Sequence, residues 1–175
     1  LLEKEERAVG VAITAYQEVS HLELARGRLL VLLERERRWE ELYDLFVEIV
    51  GELDDTSPER VEIHVKMGEL AQYHLDNPEL AWIHFREALE QDSTQQRALK
   101  GLASMLTDLH EKGPTFTDLR VKIAETLRPI YQRMGETRRL LAVEQIQLEG
   151  DGGTSKRFQI LRSMARQSAD LGEAA

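Results

Sequence analysis

Apolar residues recur along almost the whole chain at intervals of three and four, the spacing that gives a helix one buried face. Between 60 and 74, Val61, Ile63, Val65, Met67, Leu70, Ala71 and Tyr73 form a wide apolar stripe, broken by Glu62, Lys66 and Glu69. Ser57-Pro58-Glu59 before it reads as a helix start: a capping hydroxyl, a proline whose missing N–H is harmless in the first turn, and an acid at the positive helix end. Asn77-Pro78-Glu79 repeats that signal, and the helix it opens places Leu80, Ala81, Ile83, His84, Phe85, Ala88 and Leu89 on adjoining faces. Ala98, Leu99, Leu102, Ala103, Met105, Leu106 and Leu109 continue the pattern. Alternation with period two occurs only at 61–67, where the start signal and flanking residues favour helix.

The pattern predicts an all-α chain of about nine helices, at 3–16, 21–36, 38–53, 57–75, 78–91, 94–111, 117–134, 136–149 and 154–171. Connections this short make consecutive helices antiparallel neighbours. The segment 110–117, with Gly113-Pro114, is expected to be an inserted loop, and Gly150 to Ser155 a flexible turn. Neither separates stretches of different composition, so 1–175 reads as one domain.

Composition changes the picture mainly through charge. With 42% hydrophobic and 31% charged residues, the 175-residue chain does not fit disorder. It has no cysteine, which removes disulfides, thiol catalysis and Cys-ligated zinc. No stretch is apolar enough to span a membrane and none resembles a signal peptide, so no membrane insertion and a cytoplasmic location are expected. Net charge is −9 and unevenly placed: residues 39–95 hold fifteen acids against three bases, whereas 96–175 hold ten against thirteen. The acidic middle repels phosphate, so no nucleic-acid partner is expected for it.

A search for repeats organises these helices. Residues 64–93 read His64-x2-Met67-Gly68-x2-Ala71, then Ala81-x3-Phe85-x2-Ala88-x4-Ser93. This resembles the tetratricopeptide repeat, a helix pair of about 34 residues, in the divergent form of large bacterial scaffold arrays. Met67-Gly68 matches the family's Leu-Gly, and Ala81, Phe85 and Ala88 match its second helix. His64 stands where the family has Trp, Ala71 where it has Tyr, and Ser93 where it has Pro. The best-matched pairs span 57–110, with echoes at Ala12-x3-Tyr16 and in 156–165. The resemblance implies an α-solenoid of antiparallel helix pairs, in which small residues at Gly68, Ala71, Ala81 and Ala88 let backbones approach and Phe85 fills the gap between units. Neither end looks like a polar cap, so the chain is expected to be a stretch of a longer array, able to self-associate through its ends.

Candidate chemistry is sparse. His21, His64, His74, His84 and His110 form no HExxH motif, and packed or surface histidines are the plainer reading, so no metal site is expected. Gly150 to Lys156 lacks the glycine before lysine that a phosphate loop requires. Glu40/Glu41 and Asp54/Asp55 are adjacent on helices and point apart, which leaves no acid–base pair. Trp39 and Trp82 read as inter-helix packing. No enzyme activity and no cofactor are expected.

In tetratricopeptide arrays the first helix of each pair lines a concave face that binds peptides. Carried over position by position, the resemblance implies a groove of Glu62, Val65, Lys66, Glu69, Gln72 and Tyr73, then Gln96, Leu99, Lys100, Ala103 and Leu106. The family's clamp for a C-terminal carboxylate needs Lys and Asn where this chain has Val65/Glu69 and Leu99/Ala103, so that clamp is absent. The acidic members imply a protein or peptide partner of basic and apolar character. The expected function is a non-catalytic scaffold or adaptor, with a peptide-sensing regulatory domain or a self-assembling structural segment as alternatives.

Overall fold

In the computed structural model, which describes residues 7, 9–14, 23–150 and 153–173, the periodic stripes are helical and no described residue lies in a strand. Residues 9–14 belong to α1. There follow α2 (Glu23–Arg35), α3 (Trp39–Glu52), α4 (Pro58–Tyr73), α5 (Pro78–Gln91) and α6 (Gln96–Lys112). A 3-10 turn (Pro114–Phe116) leads into α7 (Thr117–Met134), α8 (Thr137–Glu149) and α9 (Thr154–Glu173). Tyr16 and His21, together with residues 151–152 of the expected glycine-rich turn, lie outside the described residues.

The start signals act as expected. Ser57 Oγ accepts the Glu59 N–H at 3.3 Å and Asn77 Oδ1 accepts the Leu80 N–H at 3.1 Å, each satisfying a donor that the helix itself leaves free. The segment expected as an inserted loop is not one. Helix α6 continues to Lys112, Gly113 turns the chain at φ 106°, and the 3-10 turn runs straight into α7. Glycine tolerates that φ because it lacks a Cβ, and Pro114 at the first turn position loses no bond.

Two apolar cores meet at α4. Ile63, Met67 and Leu70 pack with Val9, Leu33, Leu45 and Phe46 on one side. Val65 and Ala71 pack with Phe85, Leu102, Ile123 and Leu127 on the other. A helix buried on two faces needs apolar residues nearly all round, which is why 61–67 alternates like a strand yet is helical. From α2 onward, the backbones that approach closely are those of consecutive helices and of α4 with α6 and α5 with α7; side-chain bonds also join α3 to α5 and α7 to α9. At the α4–α5–α6 junction the fully buried Phe85 ring lies against two helical glycines: a Cβ on Gly68 would sit 2.6 Å from it, and one on Gly101 2.5 Å.

Helix α9 is tied on by polar bonds. Glu144 of α8 is fully buried and accepts from Arg128 Nε at 3.1 Å, Ser163 Oγ at 2.8 Å and Gln167 Nε2 at 3.2 Å. A buried carboxylate is tolerable only with such donors around it. Among the described residues no helix is long and apolar enough to cross a membrane.

Candidate functional site

The even-numbered helices share two clefts, one on each side of the α4–α6 contact. The first, about 530 Å³, lies where α2, α3, α4 and α6 meet; Val31, Trp39, Phe46 and Tyr73 give it an apolar, aromatic wall. The second, about 420 Å³, lies between α6 and α8 over α7. Lys66, Glu69 and Tyr73 line the first, and Gln96, Leu99, Lys100, Ala103 and Leu106 line the second. Eight of the eleven groove residues therefore reach a cleft.

The other three do not. Val65 is fully buried in the α4–α8 core and touches no solvent, which corrects the expectation that it faces a partner. Its position on the helix is right for a groove only if α4 has one buried face, and it has two. Gln72 is half-buried and donates to Ser104 Oγ of α6 at 3.0 Å, a strut between the helices. Glu62 borders a separate hollow with Ser57, Pro58 and Gln95.

Arg97, which the sequence pattern did not single out, changes the electrostatics. Its guanidinium donates to both Glu69 carboxylate oxygens, at 2.9 Å from Nε and 2.5 Å from Nη2, and also to Glu62. The bonds to Glu69, with those to Glu62, raise its pKa further against the opposing effect of burial. The two carboxylates on which a basic partner was expected to dock thus share one guanidinium within the chain, which halves their combined charge. Lys112 pairs with Asp76 in the same way, at 2.8 Å. The second cleft is lined by the charges of Lys100, Arg120 and Arg139, of which Arg120 is paired with Glu149 at 2.6 Å.

Behind the first cleft lies a buried polar chain. Tyr43 Oη is 2.9 Å from His84 Nε2, and His84 Nδ1 is 3.2 Å from His64 Nδ1. Burial first, and then the neighbouring His64, push the His84 pKa down to about 4. Burial, and then Arg60, lower that of His64. His64 Nε2 has no hydrogen-bond partner. Both rings are neutral at pH 7 and hold α3, α4 and α5 together. Trp39 stacks on His74 at 3.9 Å, and Trp82 Nε1 donates to Thr126 Oγ1 at 3.2 Å, so both tryptophans pack between helices. Among the described residues no three His, Asp or Glu side chains are placed to hold a metal ion.

The sequence carried partial signals for what it missed. Gly101 stands 33 residues after Gly68, close to the spacing of the repeat expected from the sequence. Arg97 and Glu144 had none, because their partners lie on other helices. No family model, curated protein or solved structure matches the chain.

Proposed function

We propose that this chain is a non-catalytic interaction scaffold, a tetratricopeptide-like solenoid that receives a partner protein or peptide on the face formed by α2, α4, α6 and α8. The observation that carries this reading is the pair of clefts lined chiefly by those helices. Two more support it. Among the described residues, close helix approaches join neighbours one or two apart in sequence, as in repeat proteins whose units touch only their neighbours. Gly68 and Gly101 occupy matching places on α4 and α6 against the same Phe85 ring.

The partner side differs from the one the acidic stripe implies. With Glu62 and Glu69 held by Arg97, the first cleft selects by apolar and aromatic contact, and exposed Val31 and Tyr73 are its accessible anchors. Site-specific photocrosslinking tests the assignment, with the crosslinker at Tyr73 or Lys100 on the even face and at Ile83 or Met134 elsewhere. One and the same partner captured from the first two positions and not from the last two supports it. Equal capture from all four sinks it.

Self-association has one observation in its favour. Phe158 and Leu161 on α9 and Val11 on α1 are exposed, so both ends of the described chain offer apolar side chains. Light scattering over a concentration series, with Phe158→Asp as comparison, tests this reading: a mass that stays at one chain throughout refutes it.

A further inference from the structure

We infer that the cleft between α6, α7 and α8 is a binding site for an extended apolar carboxylate. Its floor is aliphatic, built from Leu99, Ala103 and Leu106 of α6 with Ala142, Val143 and Ile146 of α8. Its charged lining is wholly cationic: Lys100, Arg120 and Arg139, with no carboxylate among the described lining residues. In a chain of net charge −9, such a concentration of one sign over an apolar floor selects the opposite charge on an apolar body.

The hairpin of α7 and α8 orders the cleft along its length. At one end the Arg139 guanidinium lies over the Tyr131 ring, 5.8 Å from its centre. At the other, Arg120 Nη1 donates to Glu149 at 2.6 Å. Because α7 reverses α6 through the 3-10 turn, Lys100 lies towards the Tyr131 end and His110 towards Arg120. The Arg120 charge is matched by Glu149, whereas Arg139 has only an exposed Glu136 at 4.0 Å, a contact worth little in water. The anionic head therefore belongs at the Lys100 and Arg139 end. From Arg139 to Ile146 the floor runs seven residues, about 10 Å at ~1.5 Å per residue, which an extended alkyl chain covers.

Size and polarity favour a small molecule over a peptide. About 420 Å³ falls among ordinary small-ligand cavities. A peptide backbone laid on Leu99, Ala103, Leu106, Val143 and Ile146 would lose its water over an aliphatic floor and find, besides the three cations, Gln96, Thr107, His110 and Tyr131 to bond. An alkyl chain loses nothing there. The inference does not rest on the scaffold reading but shares its face: the small molecule would fill the second cleft, beneath the rim that a protein partner would cover.

Titration calorimetry on the whole chain with decanoate, decyltrimethylammonium and an acidic amphipathic peptide tests it. Decanoate is expected to bind at one saturable site, and the ammonium compound of equal tail length is not. Arg139→Glu with Lys100→Glu should weaken decanoate by at least about tenfold. Ala142→Trp, at an exposed floor position, should abolish binding, and Ala142→Glu is the second obstruction should the first disturb folding by circular dichroism. Val31→Glu, in the other cleft, should leave it unchanged. The inference is overturned if decanoate gives no saturable heat, if the ammonium compound binds as tightly, if the floor variants bind as well as the parent, or if the peptide binds and decanoate does not.

Discussion

Glycine to alanine inside a helix ordinarily stabilises a protein, and in this chain the sign should depend on Phe85. Alanine gains roughly 0.5–1 kcal/mol over glycine in a helix interior. At Gly27 on α2 a Cβ meets nothing within 4 Å, so Gly27→Ala should gain that amount. At Gly68 the same Cβ would stand 2.6 Å from Cε1 and 2.7 Å from Cδ1 of Phe85. Carbon atoms prefer about 3.5–4.0 Å, so the ring must retreat by roughly 1 Å. It has nowhere to go, because its tip already presses on Gly101 and the side chain is fully buried. Overpacking of this kind costs about 1–3 kcal/mol. Less the helix gain, Gly68→Ala should destabilise by up to about 2.5 kcal/mol, or several °C in Tm for a chain of this size, where Gly27→Ala stabilises.

Urea melts followed by circular dichroism measure both variants, and Phe85→Leu closes the cycle. Leucine at 85 leaves a void in the parent but room for the new methyl in Gly68→Ala, so the two substitutions should couple favourably by about 1 kcal/mol or more. A Gly68→Ala protein as stabilised as Gly27→Ala, or a coupling of zero, would refute the account of how α4, α5 and α6 pack.

Other expectations follow from the polar groups. His84 has a folded pKa of about 4 against 6.5 unfolded, so the stability it contributes is complete above pH 6.5 and is lost as pH falls towards 4. At ~1.4 kcal/mol per unit, that loss totals about 3 kcal/mol, and melts between pH 7 and 5 should show its onset in the parent and a smaller one in His84→Phe, where the lowered pKa of His64 remains. Glu144→Ala strands Arg128, Ser163 and Gln167 and should cost about 1.5–3 kcal/mol, with hydrogen exchange rising first in α9. Arg97→Ala removes bonds between side chains that are a third to nearly half exposed, so it should cost less than about 1 kcal/mol. Its measurable effect should be a new attraction of the α4–α6 face for a basic peptide, read by fluorescence anisotropy at low salt.

What was legible in the sequence was local. Ser57-Pro58 and Asn77-Pro78 open α4 and α5 where their capping chemistry says they should, because a cap is made by residues two or three positions away. The helical stripe of α6 also delivered all five of its groove residues to one cleft. What failed depends on more than one helix. Val65 could be placed only by knowing that α4 serves two cores. Gly113-Pro114 looks like a loop until α6 is seen to run up to it and the 3-10 turn away from it.

Charge shows the same limit most sharply. Counted along the chain, 39–95 is an acidic block and 96–175 a basic one. In space, Arg97 and Lys112 of the basic stretch pair with Glu62, Glu69 and Asp76 of the acidic stretch, across 28 to 36 positions. The pairing is a consequence of stacking α6 on α4, which brings the two stretches side by side. It uses up acidic charge where the sequence concentrates it and leaves Lys100 and Arg139 on the far side of α6 with no comparable match. The charge a face presents where helices pack side by side is therefore set by what remains after neighbouring helices have paired, and in the cleft between α6 and α8 the charged lining is positive.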